Sequence, residues 1–389
     1  MRFSITGLSV LLSLVATSSA ETASEEMLRN IDTFARYAAF GYCDHLVDGR
    51  NINTGTKVCS GGGIPGGCGD LQDAVVVMEF PSSEGAAGYV ALSNKTQQIV
   101  VSFRGSKPGR DFLSDVNTCK TRTPKFLNFM QGAVDWVARG MQDNMDKISR
   151  PIISNVVKAT CSVLGGAVID TSDPLFPICP DCQLHSGFYE AFKGLKDKML
   201  ETVKEQKAAH PDFEVVVTGY SLGAALATLG AAYLRKAGFV ADMYTYGSPR
   251  VGDAKFAEFV SNQRKGKNFR ITNANDPVAN IPWQDAGFGH VSPEYWFPQG
   301  LAAKEMQVCS GTDNLQCSGS FPFNLHNVAG GKARMKPHVW TEYAIGFPFT
   351  GPSACPGRSG RKGNPEDSRP FSEEEVAAMR RLASEGAEE

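Results

Sequence analysis

The sequence predicts an α/β fold in which a mostly parallel central sheet is covered by helices on both faces. Three observations point there. Short β-branched runs at residues 213–218, 242–246 and 268–273 alternate with helical stretches at 224–236 and 255–260, the pattern of parallel strands joined by helical crossovers. The run Glu214-Val215-Val216-Val217-Thr218 does not alternate apolar with polar at its centre, as a strand buried on both faces reads. The chain has 389 residues, 42% of them hydrophobic, enough for one large domain with a sizeable core.

The elements follow in order. Met1-Arg2, the apolar run Leu8 to Val15 and the small residues Ser18-Ser19-Ala20 form the three parts of a secretory signal peptide over residues 1–20, with cleavage near Glu21. Residues 25–42 carry apolar side chains at helical spacing: Leu28, Ile31, Phe34 and Ala38. Strands are expected at 74–80, 88–93 and 97–103, with Asn94-Lys95-Thr96 in the turn between the last two. That tripeptide is an N-glycosylation sequon, so Asn94 is a candidate acceptor.

Residues 120–170 read as helical, with Met130, Val134, Val137 and Met141 on one stripe beside Trp136. The stripe allows two readings: an extra helical layer on the core, or a cover over an apolar substrate site. One helix is expected over 188–208. Residues 356–389 are rich in Pro, Gly, Arg and Glu and poor in apolar side chains, so a disordered polar tail is expected. The main domain is therefore placed at 21–355, with a helical insertion at about 120–177.

A net charge of −2 gives no electrostatic reason to expect nucleic acid as a partner. No stretch after the signal peptide has the length of a membrane span, and a monomer is expected. In an oxidising compartment the ten cysteines read as a disulfide set. Expected local pairs are Cys59–Cys68, Cys179–Cys182 and Cys309–Cys317; Cys43–Cys355 and Cys119–Cys161 would complete the set. The Cys179-x-x-Cys182 spacing also occurs in redox and zinc motifs, but no second Cys or His pair lies nearby, so no metal is expected.

The chemistry centres on Gly219-Tyr220-Ser221-Leu222-Gly223, set between a β-branched strand and an Ala-rich helix. That context makes it a nucleophile elbow. The tight strand-to-helix turn lifts the serine hydroxyl above the sheet at a helix N-terminus, where free backbone N–H groups can hold an oxyanion. The motif identifies an α/β-hydrolase fold. In that fold the chain order is Ser, then acid, then His. Asp276, in the loop Asn275-Asp276-Pro277 after the strand at 268–273, is the candidate acid. Among the later histidines, His326 sits in a polar stretch, while His338 and His290 both remain as candidate bases. Such a triad requires no cofactor.

At this point the sequence resembles the fungal class 3 lipases, a group that also holds feruloyl esterases and mono- and diacylglycerol lipases. The matching blocks start at Ile99, Val217, Tyr244, Arg270, His290 and Pro337, and span roughly residues 38–355. The resemblance implies Ser221 as nucleophile, Asp276 as acid and His338 as base, and places His290 outside the triad. It implies Ser106 and Leu222 as the oxyanion-hole donors, and a lid over 107–115 that includes Phe112 and Leu113.

Three features depart from the family pattern. Tyr220 stands where many members have His, the lid-equivalent segment reads differently, and the stretch from Lys120 to about Pro177 is longer. The function implied is a secreted lipase of the triacylglycerol lipase type, acting on acylglycerol esters at an oil–water interface through an acyl-serine. The alternatives are a feruloyl or other soluble-ester hydrolase and a non-catalytic secreted binding protein.

Overall fold

The computed structural model describes residues 19–42, 55, 57–59, 68–81, 86–104, 178–179, 181–282, 284, 287–312, 314–321, 338 and 343. Ser106, Phe112, Leu113, Cys43, Cys355, Cys119, Cys161, the insertion at 120–177 and the tail at 356–389 lie outside them. Among the described residues the strands are β1 (Ser19–Thr22), β2 (Val75–Pro81), β3 (Ala87–Ser93), β4 (Gln98–Arg104), β5 (Glu214–Tyr220), β6 (Ala241–Tyr246), β7 (Gly252–Asp253), β8 (Asn268–Asn273), β9 (Phe288–Gly289), β10 (Glu294–Phe297) and β11 (Glu305–Cys309). The helices are α1 (Glu25–Phe40), α2 (Ser186–Lys193), α3 (Lys196–Ala209), α4 (Leu222–Lys236) and α5 (Ala254–Ser261).

Nine strands form one sheet in the order β1-β11-β10-β8-β6-β5-β4-β3-β2, and β7 pairs with β9 apart from it. The five central strands, β4, β5, β6, β8 and β10, run parallel. Antiparallel strands close both edges. Helical crossovers join β5 to β6 and β6 to β8, as parallel pairing requires, and the helices cover both faces of the centre. Val215 and Val217 of β5 enter the core beneath α2, α3 and α4, whereas Val216 enters the core on the α1 side. A strand with two buried faces has no polar side to show, which explains its continuous apolar run.

Helix α1 is tied to the sheet by more than apolar contact. Ser24 caps its start by accepting from the Met27 N–H. Along one face, three of its carbonyls accept hydroxyls from the sheet: Ile31 O from Tyr246 (2.6 Å), Phe34 O from Thr218 (3.0 Å) and Tyr37 O from Ser102 (3.0 Å). These carbonyls recur every three residues, so one helix face meets the sheet. Each buried hydroxyl gains a partner that the strand ladder does not supply.

The structure corrects the sequence-based expectation at several elements. The single helix expected at 188–208 is two helices, α2 and α3, parted at Gly194 and Leu195. Leu195 is fully buried there, and its N–H bonds back to Phe192 O in a tighter turn. Strands β1, β7, β9, β10 and β11 carry no clear sequence signal. In β1, backbone pairing to β11 runs from Ser19↔Val308 to Thr22↔Glu305. Cleavage after Ala20 would leave only Glu21 and Thr22 of that edge pairing.

Cys59–Cys68, Cys179–Cys182 and Cys309–Cys317 are disulfide-bonded. Asn94 is exposed in the β3–β4 turn, whose shape is set by Asp73 accepting from the Ser93 hydroxyl (2.8 Å) and the Lys95 N–H (2.7 Å). Among the described residues no helix is long and apolar enough to cross a membrane.

Candidate active site

Strand β5 ends at Tyr220 and helix α4 begins at Leu222, leaving Ser221 alone in the turn. Ser221 adopts φ 57° and ψ −126°, a conformation that L-residues rarely hold. Its N–H donates to Tyr246 O at 2.9 Å, which keeps it in register with β6. The turn closes so tightly that a Cβ on Gly219 would lie 2.1 Å from Gly223 O. Only glycine fits at that position. The Leu222 N–H is the first donor of α4, where the helix itself supplies no acceptor.

The candidate acid, Asp276, comes from the end of β8. After Asn273 the chain turns through Ala274 at φ 43°, and the Asp276 N–H closes the turn on Asn273 O at 3.0 Å. Asp276 is fully buried, so its carboxylate must be met by donors. Oδ1 accepts the Val278 N–H at 2.8 Å. Oδ2 lies 2.8 Å from His338 Nδ1 and accepts the Tyr343 hydroxyl at 2.6 Å. His338 Nε2 is 3.0 Å from Ser221 Oγ. The network assigns the tautomer: Nδ1–H donates to Asp276, leaving Nε2 to accept the serine proton.

Two residues that the sequence reading did not single out complete the acid's surroundings. Tyr343 is fully buried, with its hydroxyl between the Asn273 N–H (3.1 Å) and Asp276. Burial, followed by the Asp276 charge, raises its pKa well above the usual phenol value, so it remains a neutral donor. Gly247 has φ 55°, and a Cβ there would lie 2.8 Å from Asp276 Oδ2 and 3.0 Å from His338 Nδ1. The Asp276–His338 contact therefore fills the space that a side chain at 247 would occupy. Gly247 lies within the matching block that starts at Tyr244, whereas no local pattern marks Tyr343, which reaches back 67 positions to its partner.

His290, the other candidate base, has a different environment. It is buried, and its Nε2 bonds Ala279 O in the short 3-10 turn Val278–Asn280 that follows Asp276. Burial, then the nearby Arg270 and Arg250, pushes its pKa well below the ordinary imidazole value. It is a neutral brace behind the Asp276 loop. Beside it Arg270 pairs with Glu294 at 2.9 Å, both side chains buried, and Thr272 donates its hydroxyl to Glu294.

Comparisons with known proteins place the chain in a family. The family model described as Lipase (class 3) matches residues 100–286. The chain is 33% identical over 308 residues to secreted mono- and diacylglycerol lipase 1 of Fusarium solani, covering 77% of this chain and 74% of that protein. It is 30% identical over 348 residues to secreted mono- and diacylglycerol lipase A of Penicillium cyclopium, covering 87% and 94%. In fold it is similar to the crystal structure of mono- and diacylglycerol lipase from Aspergillus oryzae, with a TM-score of 0.55 at 24% identity over 83% of this chain and 98% of that one. The chain belongs to the class 3 lipase family, and is a secreted carboxylic ester hydrolase with an α/β-hydrolase fold.

Proposed function

We propose that this hydrolase cleaves acylglycerol esters, with mono- and diacylglycerols as preferred substrates, through Ser221, His338 and Asp276. One observation carries the mechanism: the continuous chain from Ser221 Oγ to His338 Nε2 (3.0 Å) and from His338 Nδ1 to Asp276 Oδ2 (2.8 Å). The substrate preference is supported by the names of relatives that share most of their length with this chain.

In the reaction, Ser221 Oγ attacks the ester carbonyl carbon as its proton passes to His338 Nε2. The carbonyl oxygen becomes an oxyanion within reach of the Leu222 N–H, for which one donor is typically worth about 3–4 kcal/mol. Asp276 holds the imidazole in its tautomer and stabilises the imidazolium. Collapse of the intermediate breaks the bond to the alkoxy oxygen. His338 returns the proton to that oxygen, and the glycerol alcohol leaves. Water then repeats the sequence on the acyl-serine, releasing the fatty acid and restoring Ser221.

The test is a rate comparison on emulsified mono-, di- and triacylglycerols of one acyl chain, beside a soluble hydroxycinnamate ester. Faster turnover of the mono- and diacylglycerols is expected. Equal or faster turnover of triacylglycerol contradicts the preference. A marked excess of activity on the soluble ester contradicts the acylglycerol assignment.

A further inference from the structure

Tyr220, the last residue of β5 and the peptide-bonded neighbour of Ser221, meets His338 twice. Its hydroxyl donates to the His338 backbone carbonyl. Its ring stacks on the imidazole, with centroids 5.1 Å apart and planes 25° apart. The phenol is in turn held from two sides. Tyr42 lies edge-on to it at 6.1 Å and donates its hydroxyl to Tyr220 O at 3.3 Å. Tyr343, the donor to Asp276, lies against it at 5.9 Å. Burial raises the Tyr220 pKa well above the usual phenol value, which keeps the hydroxyl a donor across the working pH range.

The geometry points to Tyr220 as a positioning residue that holds His338 in line between Ser221 and Asp276 and stabilises the imidazolium formed during acyl transfer. This rests on the triad reading above. The contacts to Asp276 at Nδ1 and Ser221 at Nε2 set the two ends of the ring. Tyr220 adds a restraint on the backbone carbonyl through its hydroxyl and on the ring plane through its stacked face. It does so from the strand that carries the nucleophile, so base and nucleophile are registered through one peptide bond. The aromatic face also presents negative charge density to a ring that becomes cationic only as Ser221 gives up its proton. An interaction gained in the transition state raises kcat and leaves KM largely alone.

The experiment measures kcat and KM on p-nitrophenyl butyrate, and thermal midpoints, for wild type, Tyr220→Phe, Tyr220→Leu and Ser221→Ala. Tyr220→Leu loses both contacts, and its kcat is expected to fall about 10- to 100-fold, as misplacement of a reacting group does. KM should change less than about twofold, because substrate binding energy is untouched. Tyr220→Phe keeps the stacked ring and loses one hydrogen bond, so recovery to within about fivefold of wild type is expected. The proposal is overturned if Tyr220→Leu keeps wild-type kcat while folded, if the loss appears in KM, or if Phe is no better than Leu. Ser221→Ala separates the two levels. If that variant keeps its activity, the triad reading fails. If it is inactive while Tyr220→Leu is unimpaired, only the role of Tyr220 fails.

Discussion

Replacing His338 with alanine is expected to lower kcat/KM on a soluble ester by about 10⁴-fold or more, because Ser221 then has no base and the leaving alcohol no acid. His290→Ala should cost less than about tenfold. Its imidazole bonds Ala279 O, behind the acid's loop, and takes no part in the contacts among Ser221, His338 and Asp276. Its loss should instead appear as a drop in stability of about 1–3 kcal/mol, the cost of leaving a buried carbonyl unpaired.

The pH dependence has a definite sign. The folded pKa of His290 lies well below the unfolded value, so the neutral form favours folding. Stability from this source is present above the unfolded pKa, near 6.5, and is lost as pH falls below it toward the folded value. His185, with its pKa pushed down by burial to about 4, adds to the same decline. His290→Ala should therefore make the thermal midpoint less sensitive to acid below about pH 6.5. Equal losses of activity in the two alanine variants would contradict the assignment of the base.

Gly247→Ala is expected to reduce kcat by about 100-fold or more with only moderate loss of stability. The new Cβ would lie 2.8 Å from Asp276 Oδ2 and 3.0 Å from His338 Nδ1, closer than a methyl group can approach either atom. Acid and base must separate to admit it, and a misplacement near 1 Å can cost about 10²-fold. The left-handed backbone, φ 55°, adds about 1–2 kcal/mol of strain for any residue with a Cβ. Kinetics paired with thermal unfolding distinguish the effects. A stable variant with full activity would show that the carboxylate–imidazole contact is not needed in this geometry.

The parts of the fold legible in the sequence are those where local chemistry and tertiary environment agree. Burial on both faces makes β5 an unbroken apolar run, and close approach to the sheet selects small residues along α4, so the elbow at Ser221 reads clearly from the chain. β10 and β11 do not. Glu294 looks like a surface carboxylate in sequence, yet it is buried and satisfied by Arg270, Thr272 and the Ser318 N–H. Those partners lie 22 or 24 positions away, beyond any periodic pattern. The break between α2 and α3 was hidden because the stretch keeps helical composition through Gly194, and only the burial of Leu195 distinguishes the two helices. At the site, Ser221 and Asp276 sit in local motifs. The choice between His338 and His290 depended on resemblance, and Tyr343 and Gly247 act through contacts made only in the folded chain.

We propose Ser221 as the activated nucleophile of this site. Reaction of the folded protein with a fluorophosphonate, followed by tryptic mass mapping, tests it most directly. Close to one label per chain is expected, on the peptide of residues 208–235 at Ser221, with activity lost in step with labelling and no label on Ser221→Ala. Labelling at another residue, or a Ser221→Ala variant that still turns over ester, would contradict it.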